Sequence, residues 1–163
     1  MADLVKFPHL EKALTDYGNA LLDLYKQNLV QSDALASEKL LNTAQFILDM
    51  NDTRYEVQLS LQDYWKYVEY DTKPHFPPLN AIKQWIRIKP VIPRPDALGR
   101  TPSENQLAFL IGRKISEVGT EGRHDLGNAV EEVNRQWLDR IEEACAEDIA
   151  EIGAAVIKVL FSA

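Results

Sequence analysis

The residues best suited to chemistry are three histidines, which lie far apart in the chain. No pair of His9, His75 and His124 has the HxH or HxxxH spacing that binds a metal locally. A metal site would need distant residues to converge, and no local pattern indicates such convergence. The sequence therefore predicts no metal site.

Carboxylates and the single cysteine are also candidates for chemistry. Pairs such as Glu131–Glu132 and Glu142–Glu143 fall on a stretch with helical spacing, where a solvated face is expected rather than an enclosed catalytic pair. The segment GTEGR at 119–123 lacks the GK[ST] ending of a phosphate loop, and no nucleophile motif surrounds Cys145. We therefore predict no catalytic residue and no cofactor, with Cys145 as an inert core thiol.

One short segment leaves an enzymatic alternative open. Residues 64–78, YWKYVEYDTKPHFPP, combine aromatic, charged and imidazole side chains in a short span. A small cytoplasmic enzyme with its site between Asp71 and His75 would need a pocket that perturbs a carboxylate or an imidazole.

Composition limits the classes of protein that the chain can represent. Its 163 residues are 45% hydrophobic and 26% charged, which predicts one folded domain over 1–163. A formal charge of -7 argues against sequence-independent duplex binding. The one cysteine fits a reducing compartment, no secretory signal is expected, and the longest apolar stretch, 152–161, falls short of the roughly 20 residues that span a membrane. We expect a protein of the cytosol or of an assembly made there, with no membrane partner.

The elements that position these residues follow from hydrophobic periodicity, which predicts an α+β fold. Apolar residues recur at steps of four and three over 9–30, which indicates a long N-terminal helix. Ser32 or Asp33 can cap a short helix that ends near Asn42.

The period changes to two after this helix. Alternation in QFILDM and RYEVQLSLQ predicts a small antiparallel sheet, a β-hairpin over about 44–62. Asn51 and Asp52 supply turn chemistry between its strands.

Several further helices follow the hairpin. The segment 63–70 can form a helical turn or two before the prolines, and helical spacing returns at Leu79. An extended Pro-rich loop is predicted at 89–102, and Ser103 opens a helix that Gly119 ends. A long C-terminal helix then runs from about Leu126 to Leu160, either unbroken or with a break near Gly153.

Charge is distributed unevenly along the second half of the chain. Residues 82–123 contain eight basic and four acidic residues, and residues 124–151 contain nine acidic and two basic ones. The two blocks can meet within one chain, or between neighbours in a head-to-tail ring. The candidate interface cations in the basic block are Arg94, Arg100, Arg113 and Lys114.

Several segments resemble, in order, the head–tail joining proteins of tailed bacteriophages, also called neck, tail-completion, minor tail or virion-morphogenesis proteins. They are LVQSDALASEKLLNTA (29–44), YWKYVEYDTKPHFPP (64–78), FLIGRKISEVGTEGRHDLGNAVEE (109–132) and the long last helix. In that family a long helix leads to a β-hairpin and then to a Y-x-x-Y-[VL]-E-x-G-T motif. Asp71 stands here where the family usually has Gly.

The resemblance implies a structural role in the virion rather than an enzymatic one. Copies would form a homo-oligomeric ring in the neck or upper tail, assembled in the host cytoplasm, through which DNA passes as cargo. Neighbouring neck, portal-adaptor or tail-tube proteins would be its partners, with the loop at 89–102 contacting an adjacent ring. The interface residues that the motifs imply, each with a fold-maintaining role as the alternative, are Tyr67, Glu69, Tyr70, Thr72, Pro74, His75, Arg113, Gly119 and Thr120.

A third interpretation is an adaptor or regulator that is not viral. It would work through one partner surface and predicts a monomer or dimer with a single apolar patch.

Overall fold

The computed structural model describes residues 6–32, 39–51, 54–89, 91–95 and 97–161. Within these residues it contains six helices and one two-stranded antiparallel sheet, which confirms the predicted α+β class. None of the helices in this described part is both long and apolar enough to cross a membrane. The elements are α1 (Pro8–Gln31), α2 (Lys39–Thr43), β1 (Gln45–Asn51), β2 (Arg54–Ser60), α3 (Trp65–Glu69), α4 (Leu79–Ile88), α5 (Glu104–Val118) and α6 (Asp125–Phe161).

The long terminal helices are confirmed, and one open alternative is decided. Helix α6 continues through Gly153 without a break. The Ser32 hydroxyl, one predicted cap of the short helix, donates to Asp125 Oδ2 at 2.6 Å. The N–H groups that it would cap lie outside the described residues, so this cap stays a prediction. Asp33, the other predicted cap, lies outside the described residues.

The β-hairpin is present, and the predicted alternation holds for the central apolar residues, although Met50, predicted on the buried face, is exposed. Phe46 pairs with Leu59 and Leu48 with Val57, and all four side chains are half-buried on one face. Asn51, predicted to lie in the turn, instead ends β1 opposite Arg54. Asp52, the other predicted turn residue, lies outside the described residues.

The chain divides into two compact units. Unit 1 comprises residues 1–28, 44–61 and 126–163, and unit 2 comprises residues 29–43 and 62–125. The prediction of a single domain over 1–163 stays a prediction, because this division does not establish whether either unit folds by itself.

In unit 1, α1 and α6 are antiparallel and are joined by polar contacts at two positions along their length. The backbone N–H groups of His9 and Leu10 donate to Asp148 Oδ1 at 3.2 Å and Oδ2 at 2.8 Å. Further along, Tyr17 donates its hydroxyl to Asn134 Oδ1 at 2.8 Å, and partial burial raises the pKa of Tyr17, which keeps the phenol protonated. Residue numbers rise along one helix as they fall along the other, so the two helices run in opposite directions.

The Asp148 carboxylate acts as a cap supplied from a distant part of the chain. The first turn of α1 has N–H groups with no partner inside the helix, and Pro8 at its start has no N–H to satisfy. Asp148 is only 1% exposed, and its negative charge lies at the positive end of the α1 dipole. The buried charge is thus compensated by two hydrogen bonds and by the helix dipole.

Apolar burial in unit 1 comes from α1, α6 and the residue before β1. Cys145, predicted to be a core thiol, is only half-buried, so that prediction is wrong as to its position. The buried apolar side chains among the described residues of unit 1 are Leu21, Tyr25, Ala44, Ala129 and Val133.

In unit 2 the predicted start of α5 is confirmed in detail. The Ser103 hydroxyl accepts from the Gln106 N–H, and the Gln106 side chain accepts from the Ser103 N–H, which together form a capping box. The described residues of the predicted loop at 89–102 contain no helix or strand. Arg87 of α4 pairs with Glu104 of α5 at 2.9 Å, and this hydrogen bond raises the pKa of Arg87.

Replacing the buried cap tests its contribution. We expect Asp148→Asn to lower the free energy of unfolding by about 1–3 kcal/mol, because the uncharged amide accepts hydrogen bonds through one oxygen only. Urea denaturation followed by circular dichroism measures this. Glu143→Gln removes the same charge from an exposed position of α6 and should change stability by less than about 0.5 kcal/mol. Equal effects of the two variants would contradict the capping role.

Candidate functional site

Two loops of unit 2 that carry most of the family-like residues are joined by backbone hydrogen bonds. The Thr72 N–H donates to the Thr120 carbonyl at 2.9 Å, and the Thr120 N–H donates to the Thr72 carbonyl at 3.4 Å. The two threonine hydroxyls lie 2.6 Å apart. This Thr72–Thr120 bridge pairs the segment after α3 with the segment after α5, although 48 residues separate them.

The bridge continues toward the start of α6. The Arg123 N–H donates to the Val68 carbonyl at 2.9 Å, and the His124 N–H donates to the Glu69 carbonyl at 3.1 Å. His124 adopts a φ of 56°, which is uncommon for a residue other than glycine. These hydrogen bonds hold the chain in that conformation immediately before α6 begins.

Two glycines permit the close approach of the loops. A Cβ on Gly119 would lie 2.0 Å from the Thr72 carbonyl oxygen, and Gly119 also has a φ of 76°. A Cβ on Gly122 would lie 2.4 Å from the Glu69 carbonyl oxygen. Because backbone atoms occupy both positions, a side chain at either would force the loops apart.

Several of the predicted interface residues therefore make contacts inside unit 2. Glu69 is 4% exposed, Gly119 is buried, and Thr72 and Thr120 contact each other. These observations favour the fold-maintaining alternative for these four residues.

The remaining interface candidates are exposed, and their role in an interface stays a prediction. Tyr67 and Tyr70 are 66% and 53% exposed. The exposed candidates besides these two are Pro74, His75, Arg94, Arg100, Arg113 and Lys114.

The side chains of the enzymatic alternative make contacts with the backbone. Asp71 Oδ1 accepts from the Gly122 N–H at 2.7 Å, and His75 Nδ1 lies 2.8 Å from the Lys73 carbonyl oxygen. Asp71, the position where the resembled family usually has Gly, thus adds a hydrogen bond to the joined loops. Neither side chain belongs to the lining of the two grooves described next.

A mostly apolar groove lies between α4 and α5 in unit 2. Its volume is about 390 Å³, and Ile82, Trp85, Ile111 and Ile115 supply its apolar wall. Cationic residues Lys89 and Arg123 are also part of its lining. We call it the α4–α5 groove.

A second groove of about 790 Å³ lies beside the start of α5. Its lining includes Arg94 and Arg100 of the Pro-rich loop together with Phe109 and Leu110 of α5. Two of the predicted interface cations thus lie in one concave surface of unit 2.

One cluster in unit 1 shows the long-range convergence that the sequence did not indicate. His9 Nδ1 lies 3.4 Å from Glu147 and His9 Nε2 lies 3.4 Å from Glu151, with Asp148 beside them. Both Asp148 oxygens already accept backbone N–H groups, and exposed acidic groups are common without a metal. The arrangement is explained by capping and charge at the start of α1, and no metal is assigned to it.

Sequence reasoning missed an exposed apolar surface on the last turns of α6. Residues 153–161 are all exposed, with Val159 at 70%, Leu160 at 69% and Phe161 at 86%. The apolar run at 152–161 could have indicated this surface, but in the sequence it was interpreted only as a stretch too short to span a membrane. We call residues 152–161 the α6 end.

No protein-family model, curated protein or solved structure matches this chain.

A matched pair of glycine substitutions tests the joined loops. We expect Gly122→Ala to lower the free energy of unfolding by about 1–3 kcal/mol, because the new methyl group meets backbone atoms that cannot move independently. Gly153 lies in a helix with open space where a methyl group would be added, so Gly153→Ala should raise the free energy of unfolding by about 0.5–1 kcal/mol. Urea denaturation compares the two variants, and tolerance of Gly122→Ala would show that the loops are not held as described.

Proposed function

We propose that this chain is a non-enzymatic structural subunit of a neck or tail-completion ring, which joins the portal side of a tailed-phage capsid to the tail. The observation that carries the proposal is the exposed α6 end, whose large apolar side chains reach 86% exposure at Phe161. Apolar helix surface of this kind marks a site of protein association. The bacteriophage context comes from the family-like segments at 64–78 and 109–132.

The location of the family-like residues is consistent with a structural subunit. Where the two segments meet, at Thr72 and Thr120, they contribute backbone pairing and glycine contacts rather than a convergent set of acid, base and nucleophile. The most exposed family-like aromatic residue, Tyr67, is available to a partner.

Charge supports an assembly in which unlike surfaces meet. Unit 1 has seven basic and fifteen acidic residues, a formal charge of -8, whereas unit 2 has eleven basic and ten acidic residues, a formal charge of +1. Contacts between unit 1 of one copy and unit 2 of the next avoid the repulsion that two copies of unit 1 would experience. Such head-to-tail contacts close into rings when the rotation between copies allows it.

In this role the subunit resides in the virion, in the neck or upper tail, after assembly in the host cytoplasm. Its partners are further copies of itself and the adjoining neck, portal-adaptor or tail-tube proteins, with DNA as passing cargo. The loop at 89–102, which brings Arg94 and Arg100 to one groove, is the proposed contact with an adjacent ring.

Oligomeric state is the first test. Native mass spectrometry over a range of protein concentrations should give a closed oligomer of one dominant stoichiometry, and labelled protein should be incorporated into phage particles. A chain that stays monomeric at every concentration and never enters particles contradicts the proposal. A monomer or a two-fold dimer that binds one host protein would favour the adaptor alternative.

Charge reversal on α5 is the second test. The Arg113 side chain is 61% exposed, and its ion pair with Glu117 is long, at 3.8 Å, so the contribution of this pair to folding should be small. We expect Arg113→Glu with Lys114→Glu to impair ring formation while changing the free energy of unfolding by less than about 1 kcal/mol. Native mass spectrometry and urea denaturation measure the two effects. Parallel loss of stability and assembly, or no loss of assembly, would contradict an interface at this site.

A further inference from the structure

The position of the α6 end follows from the antiparallel pairing in unit 1. Helix α1 begins at Pro8, next to Asp148, so the part of α6 after Glu151 extends past the start of α1. Ten residues at a rise of about 1.5 Å each give an apolar projection about 15 Å long. Lys158 is its single charged residue.

A projection that is apolar around most of its circumference fits a concave partner better than a flat one. A helix with one apolar stripe can bury that stripe on a flat surface. At about 100° per residue, Val156, Ile157 and Phe161 span about 140° around the axis, and Val159 lies about 60° from Val156 on the other side. These side chains, each at least 52% exposed, thus cover about 200° of the helix surface. An apolar groove that receives an amphipathic or apolar helix is a recurrent mode of recognition.

The same chain carries a groove of that kind. The α4–α5 groove, about 390 Å³, has isoleucine and tryptophan walls, and its lining also contains Lys89 and Arg123. Glu121 also belongs to the lining, so the charged groups of the groove sum to a formal charge of +1, whereas unit 1, which contains α6, has a formal charge of -8. Tyr67, one of the exposed predicted interface residues, also lines this groove.

Pairing of two α6 helices is disfavoured by charge. The part of α6 before the apolar end carries nine acidic residues, and side-by-side copies would bring these close together. Docking on unit 2, which has a formal charge of +1, avoids this repulsion.

We infer that the α6 end of one copy inserts into the α4–α5 groove of a second copy. This inference rests on the proposed ring function, and it names the two surfaces that each subunit contributes. Because the surfaces differ, every copy both donates a helix end and accepts one, which makes the contact heterologous.

Disulfide capture between two differently tagged chains tests the contact directly. Both chains carry Cys145→Ser, which removes the native thiol; one adds Leu160→Cys on the α6 end and the other adds Ala81→Cys in the groove lining. After mixing and mild oxidation, we expect the tagged heterodimer to be the main cross-linked product. A dominant Leu160→Cys homodimer, or no cross-linked product, would overturn the inference.

A single chain with both new cysteines separates docking between copies from docking within one chain. We expect a ladder of cross-linked oligomers on a non-reducing gel. A monomer with an internal disulfide would overturn docking on a second copy.

Substitutions on each surface measure its contribution to association. We expect Ile157→Glu with Leu160→Glu to raise the dissociation constant of the oligomer at least about 100-fold, since two large apolar side chains lose their burial. Asn19→Glu with Gln27→Glu adds the same charge at exposed positions of α1 and should change the dissociation constant by less than about threefold. In the groove, Ala81→Trp should weaken association as strongly as the helix substitutions, whereas Ala81→Ser should not.

Mass photometry and circular dichroism separate the outcomes. If folded helix and groove variants associate as the unsubstituted chain does, the docking inference is wrong and the ring proposal stands. If the unsubstituted chain never associates, the ring proposal itself is wrong, and the docking inference falls with it.

Discussion

Two N–H groups at the start of α1 donate to a single buried carboxylate, that of Asp148, which lies 138 and 139 residues away along the chain. A charge that is 1% exposed is unfavourable unless it is compensated, so this contact strongly restricts how α1 and α6 can align. The Tyr17 hydrogen bond to Asn134 is consistent with the same antiparallel direction. The same alignment leaves the ten residues after Glu151 beyond the start of α1, and the proposed assembly contact depends on them.

In unit 2 the corresponding constraint is the close approach of two loops. The Thr72–Thr120 bridge and the contacts of Gly119 and Gly122 bring the ends of α3 and α5 together. Glu69 and Gly119 serve this packing, so the surface that unit 2 offers a partner consists of other residues. Those residues surround the α4–α5 groove and the arginine-containing groove beside α5.

Much of the fold could be predicted because its signals are local. Steps of three and four residues identified α1 and α6, alternation identified the hairpin, and Ser103 with Gly119 bounded α5. The Asp148 cap could not be predicted, because the local sequence around an acidic residue on a helix is the same whether its carboxylate is solvated or accepts hydrogen bonds from N–H groups of another helix. Gly122 could not be assigned for a similar reason, since its role depends on a backbone segment about 50 residues earlier in the chain. The α6 end was visible as an apolar run, but its exposure depends on where α1 begins relative to α6.

In the proposed assembly, two unlike surfaces of the chain, an apolar helix end and an apolar groove, meet between successive copies. Cryo-electron microscopy of the purified oligomer tests this claim most directly. We expect a closed ring in which density for residues 152–161 of each copy lies against α4 and α5 of the next. A two-fold dimer joined through α6, or a ring in which this helix end contacts no neighbouring copy, would contradict it.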